Sequence, residues 1–148
     1  MKKKGSPLPD EDCVMRYVPW ARLRKDENEN VVGFLGQAFE LRLGEPELSV
    51  NWLEYFDEDR DKQIRESVKI FRSSRTVGAK SAYGIGNVAQ IKRTCGASGT
   101  SIRIVYDPED NNPSHSVIRH LPRDDSSLFE ALATDAFTEL VLNSSVVE

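Results

Sequence analysis

From Cys13 to Val18 the chain alternates, placing Cys13, Met15 and Tyr17 on one side and Val14, Arg16 and Val18 on the other. A period of two predicts a strand. The same period sets Phe39, Leu41 and Leu43 against Glu40 and Arg42, and Leu48, Val50 and Trp52 against Ser49 and Asn51. Val88 to Cys95 and Ser101 to Tyr106 are β-prone runs around Gly96-Ala97-Ser98-Gly99, a pattern that predicts a hairpin. Ser116 to Leu121 then reads as a further strand after the loop Asp107-Pro108-Glu109-Asp110-Asn111-Asn112-Pro113. Short connections between the last runs favour an antiparallel arrangement.

Helices fit the two long stretches that lack both glycine and proline, residues 47–77 and 123–148. Ile64, Val68 and Phe71 line one face of a helix near 58–73, with Arg65, Lys69 and Arg72 along its flank. Asp57, Glu58 and Asp59 stand where the helix dipole favours negative charge. Further on, Phe129, Leu132, Ala133, Ala136, Phe137, Leu140 and Val141 form a continuous stripe at helical spacing, and Ser127 with Glu130 matches a capping box. These signals predict a helix over 126–142. The expected fold is a single α+β domain over 13–148: a mostly antiparallel sheet of about five or six strands, with both helices on one face. Residues 1–12, polar and broken by Pro7 and Pro9, are expected as a tail.

Length and composition agree with one globular domain. The chain has 148 residues, 39% hydrophobic and 30% charged, which argues against wholesale disorder and against a disulfide miniprotein. No apolar run is long enough for a membrane-spanning helix, and the basic start Met1-Lys2-Lys3-Lys4 is not followed by the apolar core of a secretory signal. Cys13 and Cys95 have no metal or redox-motif spacing and are expected as free thiols in a cytoplasmic protein.

The net charge of −4 is unevenly spread: residues 60–103 carry ten Lys and Arg against two acids, and both flanks are acidic. An anionic partner such as nucleic acid or a phosphate ligand would explain this, through Arg65, Lys69, Arg72, Arg75, Lys80, Lys92 and Arg93. Internal pairing with the acidic flanks explains it equally. The stretch Thr76 to Asn87 contains Gly78-Ala79-Lys80-Ser81 and Gly84-Ile85-Gly86, but it lacks the first glycine of a P-loop and the third of a dinucleotide fingerprint. It is expected as a basic-flanked loop.

Catalytic spacings are scarce. His115 follows a loop holding Asp107 and Asp110, either of which could orient its imidazole as a general base. His120, five positions on, faces the other way on a continuous strand. No Gly-x-Ser-x-Gly elbow, zinc spacing or calcium loop occurs, so neither metal nor cofactor is expected. Trp20, beside Arg16, Arg22 and Arg24, and Trp52 are residue types enriched at binding hot spots. The leading expectation is therefore a binding protein acting through a protein interface at Trp20, Trp52 and those arginines. Anion binding by the basic third comes next, and a hydrolase or nuclease using His115 with an acidic loop partner comes third.

Overall fold

The structure, a computed structural model, describes residues 3–148. It is an α+β domain built on a six-stranded, fully antiparallel sheet in the order β6-β7-β4-β1-β5-β8. The centre of the sheet is β1 (Cys13–Val18), between β4 (Leu48–Trp52) and β5 (Ala82–Asn87). Outside β4 lie β7 (His115–Arg119) and β6 (Arg103–Tyr106); outside β5 lies β8 (Glu139–Leu142). A separate ribbon pairs β2 (Leu23–Lys25) with β3 (Val31–Phe34), which the alternation did not reveal.

The period-two pattern decides what each face buries. Val14 and Val18 join Leu48, Val50, Trp52, Ile104 and Ile118 in the larger core. Helix α2 (Val88–Ala97) adds Val88, Ile91 and Cys95 to it, and α3 (Ser126–Ala131) adds Leu128 and Phe129. Met15, Tyr83 and Ile85 point to the opposite face, where Val68 and Phe71 of α1 (Arg60–Ser74) cover them. The helices thus lie on both faces, not on one, because the central strands are apolar on both sides.

Several expected elements differ. Residues 88–95 form a helix, not a hairpin strand: Val88, Ile91 and Cys95 share its buried face, and the Asn87 side chain caps it by accepting from Gln90 N–H at 3.0 Å. Of the preceding stretch expected as a loop, residues 76–81 are loop and turn, whereas Ala82–Asn87 form β5. A Cβ on Gly84 would stand 3.0 Å from the Phe34 ring, and one on Gly86 would stand 3.0 Å from the Ala136 carbonyl oxygen. These glycines let β3 and the last helix approach the strand. The strand expected over 39–43 does not form: Gly36–Phe39 is a 3-10 turn and residues 40–43 are coil and turn.

The helix expected over 126–142 ends early. It starts with Asp125, not Ser127, as its cap, and widens into one π-helical turn at Leu132–Ala136. Leu140 and Val141 then pair with Gly84 and Tyr83 as part of β8. The outer edge of β5 supplies backbone partners that a further helical turn would forgo.

Of residues 3–12, expected with Met1 and Lys2 as a tail, residues 5–8 run along β6 and the backbone carbonyls of Asp10 and Asp12 accept from the start of α2; Met1 and Lys2 themselves lie outside the described residues. Gly5 N–H donates to the Tyr106 carbonyl at 2.7 Å and Leu8 N–H to that of Ile104 at 3.0 Å, with Leu8 buried. Among the described residues no helix is long and apolar enough to cross a membrane.

Candidate functional site

Helix α1 covers β1 and β5 but stops short of β4 and β7. Over those two strands lies a cleft of ≈270 Å³, at the small end for ligand sites. Ser49 and Asn51 of β4 and His115 of β7 form its floor. Phe71, Ser74 and Arg75 at the end of α1 wall one side, and Glu109, Asn111 and Asn112 of the 107–114 loop wall the other.

The floor follows from sheet register. Asn51 stands directly opposite His115, and Ser49 lies two residues back on the same face of β4. A diagonal pair across an antiparallel ladder is about 7–8 Å apart at Cα, within reach of a long side chain. His115 closes that gap: its Nε2 is 3.1 Å from Ser49 Oγ. Its Nδ1 is 2.7 Å from the backbone carbonyl oxygen of Asp107. A carbonyl only accepts, so Nδ1 carries the proton, and Nε2 of the neutral ring is left to accept from the serine hydroxyl. Two carboxylates flank the ring, Asp107 at 3.7 Å from Nδ1 and Glu109 at 3.9 Å from Nε2. His115 is buried and Ser49 half-buried, and both line the cleft.

An amide network holds the loop over this floor. Asn112 Oδ1 accepts from both the backbone N–H (3.1 Å) and the hydroxyl (2.8 Å) of Ser114. Its Nδ2 therefore donates, to Asn51 Oδ1 at 2.8 Å. That fixes the orientation of Asn51, whose own Nδ2 is buried with no acceptor among the described residues. Such a group costs about 1–3 kcal/mol to keep, and its retention beside a cleft marks the spot.

Beyond Ser49 the cleft continues into a hollow of ≈60 Å³ among Arg16, Arg22, Arg42 and Arg75, with Glu45 as the one carboxylate in its wall. Arg16 Nε donates to the Ala38 carbonyl at 2.6 Å, and its Nη1 to the backbone carbonyl of Ser49 at 2.9 Å. Arg22 donates to the Gln37 carbonyl at 2.6 Å. Arg75 lies 5.4 Å over the Tyr17 ring and 5.6 Å over that of Phe71. Glu45 pairs with Arg42 at 3.9 Å and also acts electrostatically on Arg16; among the described residues Arg16, Arg22 and Arg75 form no ion pair of their own. Burial first, then the Arg42 and Arg75 charges, lower the Arg16 guanidinium to about 10, so it stays a cation at neutral pH.

Of the residues singled out in the sequence, His115, Arg16 and Arg75 meet at this cleft. Asp107 serves His115 mainly through its backbone carbonyl, and Asp110 makes no contact with the imidazole. His120 is exposed, with a positive φ of 73°. Of the residues expected as a protein interface, Arg16 and Arg22 share the arginine hollow. Trp52 is buried and donates its indole N–H to Asp12 at 2.8 Å. Trp20 lies under Lys25, at 4.2 Å, and Lys80, at 5.4 Å. Arg24 pairs with Glu130 at 2.9 Å.

The basic third is also dispersed. Arg72 binds Asn143, Val146 and Glu148, Lys69 pairs with Glu66, Lys92 with Asp10, Arg93 bonds Gln90, and Arg65 is exposed on α1. Since α1 and α2 lie on opposite faces, these cations share no single patch. Sequence reasoning missed Ser49, Asn51, Asn112 and Arg42. The available signal was two polar residues on one face of the strand Leu48–Trp52.

Both cysteines are free, and among the described residues no group of His, Cys, Asp and Glu is arranged to hold a metal ion. No family model, curated protein or solved structure matches the chain.

Proposed function

We propose that this chain is a hydrolase of small esters or related acyl compounds, with Ser49 as nucleophile and His115 as general base. The observation that carries this reading is the 3.1 Å contact from Ser49 Oγ to His115 Nε2, made while the opposite ring nitrogen is held by the Asp107 carbonyl. Nucleophile, base and a group that orients the base are the three parts such chemistry needs.

In the reaction, Ser49 Oγ bonds to the substrate carbonyl carbon as its proton passes to His115 Nε2. His115 returns that proton to the leaving group as the acyl–oxygen bond breaks. A water then follows the same route, releasing the acid and restoring Ser49. While His115 is cationic, the carboxylates of Asp107 and Glu109 face it at 3.7 and 3.9 Å. The Asn51 Nδ2–H is the candidate donor for the developing oxyanion. Its nitrogen is buried without an acceptor, so that donor is uncommitted.

The test is hydrolysis of a p-nitrophenyl ester series, with fluorophosphonate labelling read by peptide mass spectrometry. Expected outcomes are a label on Ser49, no turnover by Ser49→Ala, and a loss of ~10²–10⁴-fold for His115→Ala with its circular dichroism intact. Undiminished turnover by Ser49→Ala, or a label on another serine, retires the reading.

A further inference from the structure

The arginine hollow says what kind of substrate the cleft takes. Arginines this close repel one another, and natural surfaces normally intersperse acids among them. Here Arg16, Arg22, Arg42 and Arg75 converge on a hollow with Glu45 as the one carboxylate in its wall. Each makes a contact within the fold, although Arg42 and Arg75 are exposed. Backbone carbonyls fix Arg16 and Arg22, Arg42 pairs with Glu45 across one turn of chain, and the Tyr17 and Phe71 rings lie beneath Arg75. The Arg16 guanidinium is thus prearranged, and part of its donor capacity is unused: of its five N–H donors, it commits one to Ala38 and one to Ser49.

The hollow also opens onto the reacting serine. Arg16, Tyr17, Ser49 and Arg75 line both it and the main cleft, and Arg16 bonds the backbone carbonyl of Ser49 at 2.9 Å. Its ≈60 Å³ holds a few waters' worth of matter, the size of one oxyanion group and too small for a nucleic-acid backbone.

We infer that the substrate carries a phosphate or carboxylate group, which the arginines of this hollow bind while the scissile bond lies over Ser49. This rests on the hydrolase reading for the word substrate, whereas the anion site itself stands on the arginines alone. Planar forks facing a tetrahedral or planar oxyanion allow the bidentate contacts that discriminate it from chloride.

The experiment measures the anion site separately from turnover. Inorganic phosphate and acetate are each titrated into the full chain by isothermal calorimetry at low ionic strength, for wild type, Arg75→Ala, Arg22→Ala and Ser49→Ala. Arg75 is exposed, so its truncation leaves the core alone. One of the two anions is expected to bind the wild type saturably, and its identity decides between phosphate and carboxylate. Each arginine variant should weaken that binding by roughly tenfold, and Ser49→Ala should still bind. In parallel, esters bearing that anionic group should be hydrolysed in preference to neutral esters of the same size, a preference that Arg75→Ala reduces. Failure of both anions to bind, or equal affinity in the arginine variants, overturns the inference. Anion binding without turnover of any ester sinks the hydrolase reading and leaves the site standing.

Discussion

Gly86 lies in the middle of the sheet with its absent side chain enclosed on three sides. A Cβ there would lie 3.0 Å from the Ala136 carbonyl oxygen, 3.1 Å from Ile91 Cδ1 and 3.1 Å from the Phe137 ring. The side chains can give by a few tenths of an ångström, but the carbonyl belongs to the π-helical turn and is fixed by it. Overpacking of this kind costs about 1–3 kcal/mol. Replacing glycine in a strand returns up to about 1 kcal/mol through the unfolded chain's lower freedom. The net expectation for Gly86→Ala is a loss of about 1–2 kcal/mol, or roughly 3–6 °C in Tm for a domain of this size. Gly96 provides the opposite case. It is exposed on α2, and a Cβ there would meet nothing within 4 Å, so Gly96→Ala should gain about 0.5 kcal/mol from helix propensity. Urea unfolding followed by tryptophan fluorescence measures both. A Gly86→Ala midpoint at or above wild type would show that β5 does not need its glycine for close packing, and the reasoning fails.

Two further expectations concern stability. Burial pushes the Cys95 thiol from 9.0 up to about 11. Between those values the unfolded chain releases the proton and the folded chain keeps it. The contribution is intact below the lower value and falls by about 2–3 kcal/mol as pH rises to the upper one. A Cys95→Ala variant should lack this slope in urea midpoint against pH; an identical slope refutes the assignment. Glu130 accepts from Gly36 N–H at 3.0 Å and pairs with Arg24 at 2.9 Å. Glu130→Ala should cost about 1–2 kcal/mol by stranding the buried amide, and Arg24→Ala under about 0.5 kcal/mol, since that ion pair is half in water. Equal losses in thermal melts would contradict this.

The strands β1 and β4 and helix α1 were legible because one signal governed each. Alternation set the strands, and Ile64, Val68 and Phe71 with the Asp59 cap set the helix. Other segments carried two signals at once. Val88, Ile91 and Cys95 satisfy a helical face, yet their neighbourhood is β-prone enough to suggest a strand. Leu140 and Val141 continue a helical stripe and also suit an edge strand. Pairing with β5 decided between the two, and no local pattern contains it. Gly84 and Gly86 lower strand propensity, and their use appears only when Phe34 and Phe137 arrive from distant segments. The site was half visible for the same reason. His115 stood out as a titratable residue near an acidic loop, but the serine its ring contacts lies 66 positions away, brought to it only by strand register.

That register has a consequence for how such a site can diversify. Ser49 and His115 belong to neighbouring strands stitched together by the backbone, so their separation was settled when the sheet formed. No entropy of alignment remains to be lost when a ligand arrives. The rim is a different kind of structure, made from the last turn of α1 and the 107–114 loop, where side chains can change without disturbing the ladder. The residues at the rim can therefore drift while the Ser49–His115 pair below them keeps its distance.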